Sequence, residues 1–219
     1  MQRSLRRRKL RIMTQKHNRG RFIVFEGIDG AGKSTQIQLL KESLQAEGRR
    51  VYCTAEPTES VSGGLLRDAL GGVSKRTTCE LAAMFVLDRI FHNVNQVHGI
   101  EKMLADGIDV ICDRYYYSSL AYQGSDTDFA WVRDMNLNCP EIRKPDICVF
   151  LDLTPEQSMA RIEGGRVTKE IYETDEKLTR VRNQFYRVFE ELKGRDRIEI
   201  VDASRSIEEI HQEIVGLLQ

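Results

Sequence analysis

Short apolar runs alternate along the chain with longer stretches in which apolar residues recur every three or four positions. The short runs are rich in Ile and Val, which is typical of strands buried on both faces of a sheet. The longer stretches have the spacing of amphipathic helices. Strand candidates lie at 21–26, 50–54, 108–113, 147–152 and 197–201.

Helical patterns separate the strand candidates. They lie at about 33–47, 62–70, 77–104, 115–122, 128–135, 155–163, 173–192 and 206–218. Strands joined through helices run parallel, because the helix returns the chain to the same edge of the sheet. The pattern therefore predicts an α/β fold of three layers, with a five-stranded parallel sheet flanked by helices. Ligands of such sheets bind at the carboxyl ends of the strands.

Charge is balanced over the whole chain but not along it. The 219 residues include 33 basic and 33 acidic side chains, yet residues 1–21 hold nine Lys and Arg and no acid. The rest of the chain is therefore acidic, which argues against general nucleic-acid binding. No apolar run approaches the ~18 residues of a membrane span. We expect a cytoplasmic protein without nucleic-acid or membrane partners.

The basic segment at 1–20 leaves three alternatives open. It can be a targeting peptide or nucleic-acid-binding arm, a disordered extension without function, or sequence upstream of a start at Met13. We treat 1–20 as a basic, disordered extension and 21–219 as a single domain, with no linker or repeat in between.

The run GIDGAGKS at 27–34 fits the phosphate-binding pattern G-x-x-x-x-G-K-[ST]. Its glycines allow backbone N–H groups to turn inward around a phosphate. Lys33 would reach the β- and γ-phosphates, and the Ser34 hydroxyl would bind Mg²⁺. A strand precedes the run and a helix follows it, which predicts a P-loop NTPase fold. The residues assigned to the ATP phosphates are Gly27, Ile28, Asp29, Gly30, Ala31, Gly32, Lys33, Ser34 and Thr35.

Charged residues also follow the second and third strands. Asp113 ends an apolar strand, where an aspartate can hold Mg²⁺, and the adjacent Arg114 can bind a phosphate through two hydrogen bonds. Pro57 forces an extended turn that could present Glu56 to the same site. The predicted magnesium ligands are Ser34, Asp113 and Glu56.

Taken together, these motifs resemble those of thymidylate kinases. The resemblance rests on FEGIDGAGKST at 25–35, EPT at 56–58, LDR at 87–89, DRYYYSSLAYQG at 113–124, KPD at 144–146 and LDLTPE at 151–156. Order and spacing match that family from about 21 to 218, and the segment 113–124 is the most specific. The resemblance implies transfer of the ATP γ-phosphoryl group to dTMP, a homodimer formed through the long helix at 77–104, and a short lid at about 161–172.

The resemblance also implies a role for individual residues. Phe85 would stack on thymine and Arg89 would bind its O4; their i, i+4 spacing places both on one helix face. Arg114 would bind the monophosphate, Asp29 the sugar 3′-hydroxyl, and Tyr122 would exclude a ribose 2′-hydroxyl. The full set implied for dTMP is Asp29, Glu56, Pro57, Arg67, Phe85, Arg89, Arg114, Ser118, Ser119, Tyr122 and Gln123.

The lid would supply an arginine to the reaction, because Gly30 occupies the P-loop position that carries one in some thymidylate kinases. Arg166 is our first choice and Arg161 our second. The predicted catalytic set is Lys33, Arg114, Arg166, Asp29 and Arg161.

One departure from the family pattern leaves the substrate open. Members often carry an arginine directly before Glu-Pro, where this chain has Ala55. Its loss could weaken dTMP binding, be offset by Arg67, or indicate another substrate. The alternatives are a related deoxynucleotide or deoxynucleoside kinase and a catalytically weak nucleotide-binding regulator.

Overall fold

The computed structural model describes residues 19–165 and 175–219, and the statements below concern these parts of the chain. Its strands are β1 (Phe22–Glu26), β2 (Val51–Ala55), β3 (Asp109–Asp113), β4 (Ile147–Asp152) and β5 (Ile198–Asp202). They form one parallel sheet in the order β2-β3-β1-β4-β5. The predicted α/β fold with a five-stranded parallel sheet is confirmed, and each strand lies within one residue of its predicted bounds.

Helices connect the strands. They are α1 (Lys33–Ala46), α2 (Val61–Leu70), α3 (Thr78–Val94), α4 (Ile100–Ala105), α5 (Tyr116–Asp126), α6 (Phe129–Leu137), α7 (Pro155–Gly165), α8 (Asp175–Glu191) and α9 (Ile207–Leu217). Among the described residues, no helix combines the length and the apolar character that crossing a bilayer requires.

Apolar side chains of β1 point alternately to two cores. Phe22 and Val24 belong to a cluster that includes Phe185 of α8, whereas Ile23 and Phe25 belong to a second cluster with α1 and α9. Successive residues of a strand face opposite sides, so a sheet covered on both faces needs apolar residues at every position. This is why the strand reads as a continuous apolar run in the sequence.

The single helix predicted at 77–104 is wrong. The structure has two helices there, α3 and α4, separated at Asn95–Gly99. Asn95 Oδ1 accepts hydrogen bonds from the backbone N–H groups of Val97 and His98, both at 2.9 Å. This side chain satisfies N–H groups that would otherwise continue the helix. A Cβ on Gly99 would lie 2.3 Å from the Asn95 carbonyl oxygen, so the turn also requires glycine there.

Strand register brings the chemically distinctive segments to one edge of the sheet. Asp113 is paired with Phe25 of β1 on one side and with Ala55 of β2 on the other. The Glu56 backbone N–H then donates to the Asp113 carbonyl at 3.0 Å. The glycine loop, the Glu-Pro turn and Arg114 therefore leave the sheet side by side.

Candidate active site

A cavity of about 700 Å³ opens at the carboxyl edge of the sheet. Its wall combines the glycine loop, the turn after β2, the start of α5 and one face of α3 with parts of α7 and α9. The predicted site residues in this wall are Asp29, Gly30, Ala31, Gly32, Lys33, Ser34, Thr35, Glu56, Pro57, Phe85, Arg89, Asp113, Arg114, Ser118, Ser119, Tyr122, Gln123 and Arg161. Gly27, Ile28 and Arg67 do not line it, and Arg166 lies outside the described residues.

The glycine loop has a backbone that other residues would strain. Gly27, Gly30 and Gly32 have φ values of 146°, 77° and 94°, in the region that favours glycine. A Cβ on Gly30 would also lie 2.9 Å from the backbone oxygen of Ser158 in α7. Gly32 is the N-cap of α1, so the loop leads directly into the positive end of a helix. This geometry suits an anion at the N-terminus of α1.

Lys33 is buried under the loop. Its Nζ donates to the backbone oxygens of Gly27 at 3.0 Å and Ile28 at 3.3 Å. Burial lowers the pKa of Lys33, and the nearby positive charge of Arg114 lowers it further. A phosphate at the loop would supply the negative charge that favours the protonated amine.

Asp113 has an oxygen suited to a cation. Its Oδ1 is buried and has no hydrogen-bond partner among the described residues. Mg²⁺ and its bound waters satisfy such carboxylate oxygens. Asp113 and Ser34 line the same cavity, so this pair fits a magnesium ion.

Glu56, predicted as a magnesium ligand, lies in a hydrogen-bond network with α3. Its Oε2 accepts from Arg89 Nε at 2.9 Å and Nη2 at 2.6 Å, and its Oε1 lies 3.0 Å from His92 Nδ1. Both carboxylate oxygens are therefore occupied. In the structure, these hydrogen bonds fix the position of the Arg89 guanidinium.

Arg89 is buried, with only 1% of it exposed, and a network of hydrogen bonds holds its guanidinium. Besides Glu56, its Nη2 donates to Ser119 Oγ at 3.2 Å and its Nη1 donates to Asn136 Oδ1. Phe85 lies one turn earlier on α3 and also faces the cavity. The i, i+4 pair of the sequence prediction is therefore brought together on one wall.

Arg114 has an unusual backbone. It is the non-glycine residue with a positive φ, 67°, among the described residues. Such a conformation costs on the order of 1–3 kcal/mol and persists only where neighbours fix it. Its Nη2 pairs with the Asp29 carboxylate, its Nη1 donates to Ser118 Oγ at 3.3 Å, and its guanidinium lies 5.5 Å from the Tyr122 ring centre. Arg114, predicted to bind the phosphate, therefore lies next to Asp29 and Tyr122, which were predicted to contact the sugar.

Two of the predicted arginines differ in position. Arg67 Nη1 donates to the backbone oxygens of Thr58 at 2.5 Å and Pro57 at 3.3 Å, so it braces the back of the Glu-Pro turn. Arg161 Nη2 donates to the Ala203 backbone oxygen at 2.8 Å, and its Nη1 lies 3.9 Å from where a Cβ of Gly32 would be. Arg161 is therefore beside the glycine loop.

Asp88 was missed by the sequence interpretation, although it lies inside the quoted LDR motif. It accepts hydrogen bonds from the Thr58 backbone N–H at 2.8 Å and from the hydroxyls of Thr58, Ser62 and Ser60. Burial by itself raises the pKa of Asp88, but these hydrogen bonds outweigh it and the net pKa lies below its ordinary value. Asp88 thus fastens the Glu-Pro-Thr turn to α3.

Further residues were missed because sequence alone gives them weak signals. Glu26, an acid in an otherwise apolar strand, is fully buried, and burial raises its pKa to about 7. Asn136 and His92 contact the Arg89 network from helix faces that read as ordinary amphipathic patterns. Arg205, Ile207 and Ile210 complete the cavity after β5. These residues follow the carboxyl end of a strand, and that position could have indicated that they line the site.

Comparison with known proteins identifies relatives over nearly the whole chain. The family profile described as thymidylate kinase matches residues 25–214. A protein of Thermococcus gammatolerans named "Probable thymidylate kinase" is 40% identical over 210 residues, covering 91% of this chain and 96% of its own. Proteins of the same name from Pyrococcus horikoshii and Methanocaldococcus jannaschii are 38% and 36% identical, covering 92% and 90% of this chain and 97% and 95% of theirs.

Proposed function

The chain belongs to the thymidylate kinase family, and from this premise we propose that it transfers the γ-phosphoryl group of ATP to dTMP, giving dTDP. One observation carries the proposal: the P-loop and the pocket formed by Phe85, Arg89 and Arg114 line a single cavity. Donor and acceptor can therefore lie side by side. The family and the named relatives do not favour a deoxynucleoside kinase or a regulator.

ATP binds with its phosphates on the glycine loop. Backbone N–H groups at the start of α1 and the Lys33 amine bind the β- and γ-phosphates. The adenosine extends toward the wall formed by Arg161, Ile207 and Ile210, which supplies apolar surface and a cation. Mg²⁺ held by Ser34 and Asp113 would neutralise charge on the transferred group.

dTMP binds with its phosphate on Arg114 and its base on α3. Phe85 provides an aromatic surface for stacking. Arg89 has hydrogen-bond donors and no acceptor. Ser119 Oγ accepts a hydrogen bond from Arg89, so the Ser119 hydroxyl proton can be donated to a group other than Arg89. The base edge therefore meets donors, which suits the O4 carbonyl of thymine. The 4-amino group of cytosine would place donor against donor.

Catalysis rests on alignment and charge. Phosphoryl transfer requires little covalent chemistry from the protein, so rate comes from holding donor and acceptor in line and stabilising the developing charge. Lys33 acts on the donor phosphates and Arg114 on the acceptor phosphate. Arg161 is placed to approach the transferred group beside Gly32, and Arg166 stays a prediction outside the described residues.

The position of Arg67 argues against the hypothesis that it replaces the arginine missing at Ala55. Arg67 is tied to the backbone oxygens of Pro57 and Thr58 and does not line the cavity. In this proposal Arg114, which does line the cavity, therefore binds the acceptor phosphate.

The enzyme acts as a homodimer in the cytoplasm. Leu87, Phe91 and Val94 form a stripe along α3 at i, i+4 and i+7, with 58%, 43% and 37% of each residue exposed. An apolar stripe of this kind on a helix suits burial against a second copy of the same helix. Reduced cysteines fit the cytoplasm: among the described residues Cys53, Cys79, Cys112, Cys139 and Cys148 are free.

An acceptor comparison tests the proposed reaction. ATP consumption by the purified protein with Mg²⁺ is measured with dTMP, dUMP, dCMP, dGMP, dAMP, UMP and thymidine. Strong preference for dTMP is expected. Preference for another acceptor would overturn the base-pocket roles of Phe85 and Arg89, and ATP binding without turnover would favour the regulator.

Replacing Lys33 tests the P-loop as the catalytic site. Lys33→Ala is expected to lower kcat by about 10²–10³-fold, because it removes a charge that acts on the transferred phosphate. The affinity for dTMP, measured by calorimetry, should change far less. The control is Lys102→Ala, a surface lysine paired with Asp106. Unchanged turnover in Lys33→Ala would exclude the P-loop as the catalytic site.

A further inference from the structure

Glu26 is a fully buried carboxylate between an apolar strand and the phosphate loop. Burying such a group is costly unless its oxygens accept hydrogen bonds. Among the described residues, the hydrogen-bond partners of Glu26 lie at the start of α5. Its Oε1 accepts from the backbone N–H groups of Tyr115 at 2.8 Å and Ser118 at 3.1 Å, and its Oε2 accepts from the Ser118 hydroxyl at 2.7 Å.

These contacts cap α5 from another part of the chain. Tyr115 is the N-cap residue of α5, and its side chain makes no capping hydrogen bond. Ser118 is the third residue of the helix, so Glu26 accepts from the two N–H groups that a capping box would satisfy. A carboxylate is also favoured at the positive end of a helix. Glu26 therefore fixes the start of α5 relative to the end of β1.

The Ser118 hydroxyl extends this contact to Arg114. A serine hydroxyl has one proton to donate, and Ser118 donates it to Glu26 Oε2. The remaining lone pairs accept from Arg114 Nη1 at 3.3 Å. The other terminal nitrogen of Arg114 pairs with Asp29, so the guanidinium is held from two sides.

We propose that Glu26 is a positioning residue that orients Arg114 for the acceptor phosphate, acting through the start of α5 and the Ser118 hydroxyl. This inference rests on the proposed function, in which Arg114 binds that phosphate. Because Glu26 directly precedes Gly27, one carboxylate also joins the donor's phosphate loop to the helix that carries the acceptor pocket.

Steady-state kinetics of Glu26→Gln at pH 8 provide the first test. The amide at the Oε2 position donates instead of accepting, so the Ser118 hydroxyl loses its acceptor and must turn its proton elsewhere, which disturbs the lone pairs that Arg114 uses. The KM for dTMP is expected to rise about tenfold, equivalent to ~1.4 kcal/mol. Turnover and the KM for ATP should change by less than about twofold, because the lost contact is made in both the ground and the transition state. An unchanged KM for dTMP would overturn the inference.

Asp196→Asn is the matched control. Asp196, in the segment between α8 and β5, is a second carboxylate with a buried side chain that contacts α5. Its Oδ2 accepts from the hydroxyls of Tyr116 at 2.5 Å and Tyr117 at 2.9 Å. It has no such link to Arg114. General loosening of α5 would raise the KM for dTMP in both variants, which would contradict a specific role of Glu26.

Ser118→Ala keeps the test available if Glu26→Gln does not fold. It removes the link to Arg114 but leaves the carboxylate and both backbone N–H contacts in place. The KM for dTMP should again rise about tenfold, and an unchanged KM would overturn the inference. Where Glu26→Gln does fold, combining both substitutions should add little, because residues in one network are not additive. Independent, additive effects would overturn the chain from Glu26 through Ser118.

Proton exchange of the Arg114 guanidinium, measured by NMR, tests its orientation without turnover. Exchange should be slow in the wild type and in Asp196→Asn, and faster in Glu26→Gln and Ser118→Ala. If the wild type fails to phosphorylate dTMP, the proposed function fails and this measurement alone decides the inference. Unchanged exchange in Glu26→Gln overturns the inference even if dTMP is the substrate.

Discussion

Arg114 shows how single residues determine ligand chemistry at this site. It combines a positive φ of 67° with an ion pair to Asp29, so its backbone and side chain are both fixed before any ligand arrives. A preoriented guanidinium loses little freedom on binding a phosphate. In the proposed function, this fixed geometry would let Arg114 alone hold the acceptor phosphate although Ala55 stands where family members often carry a second arginine.

Removal of Arg114 should weaken acceptor binding strongly. Arg114→Ala is expected to weaken dTMP binding by about 2–5 kcal/mol, because a charged partner is lost from a largely buried site. Isothermal calorimetry with dTMP measures this change. Arg133→Ala, which removes a surface arginine paired with Asp134 and Glu191, is the control. A loss of tenfold or less, ~1.4 kcal/mol, would argue against direct phosphate contact.

Glu26 should make stability depend on pH. Burial raises its pKa from the ordinary 4.5 to about 7, partly offset by the charge of Arg114 and the hydrogen bond from Ser118. The folded state therefore binds more protons than the unfolded state between these values. Its contribution to stability is full below pH 4.5 and is lost as pH rises through 7, by about 3 kcal/mol in total.

Denaturant unfolding of the wild type and Glu26→Gln between pH 4.5 and 8 measures that contribution. Since glutamine does not titrate, the stability difference between the two proteins should shift in favour of the variant as pH rises. Parallel stability curves would show that Glu26 is not buried as a titrating carboxyl.

At the scale of elements, three helices build the proposed base pocket. Arg89 of α3 is held by Ser119 of α5 and by Asn136 of α6. Asn136 in turn is fixed, because its amide nitrogen donates to the Val132 backbone oxygen at 2.8 Å. The orientation of Arg89, the proposed base-binding arginine, therefore depends on how α6 packs against α3.

Replacing Asn136 should reduce base discrimination. Asn136→Leu keeps a similar volume but removes the acceptor for Arg89, so the preference for dTMP over dCMP in kcat/KM should fall about tenfold, or ~1.4 kcal/mol. Asn136→Asp keeps an acceptor oxygen and should retain the preference. Equal losses in the two variants would assign Asn136 to packing alone.

At the scale of the whole molecule, the proposed homodimer would connect assembly to the site through the exposed stripe on α3. Leu87, Phe91 and Val94 lie on the same helix as Phe85 and Arg89. A partner that covers the stripe would also stiffen the helix that carries the base pocket. Assembly and dTMP binding should therefore be coupled.

Charges on the stripe should separate the dimer. Leu87→Glu with Phe91→Glu is expected to give a monomer in analytical ultracentrifugation, because each subunit would bring two carboxylates into the buried interface. The KM for dTMP should rise in the same variant. Val73→Glu, at an exposed apolar position outside the stripe, serves as the control. A monomeric wild type would contradict the proposed homodimer.

The amino-acid sequence determined the fold and the phosphate loop. The strands of a doubly covered sheet are mostly apolar on both faces, so their bounds could be predicted to within one residue. The loop at 27–34 needs glycines at particular positions, which leaves a pattern in the sequence itself. The break between α3 and α4 was missed because a single side-chain acceptor, Asn95, ends the helix without changing the apolar period.

Only the tertiary structure decided which polar residues serve one another. Glu56 was predicted to bind magnesium, yet it pairs with Arg89 and His92, because α3 crosses behind the turn after β2. The contacts of Glu26 with α5 and of Asn136 with Arg89 join residues far apart in the sequence, so no local pattern indicates them. A local pattern records backbone geometry and burial, since these act on neighbouring residues, whereas the role of a buried polar group depends on which distant atoms folding brings within hydrogen-bond distance.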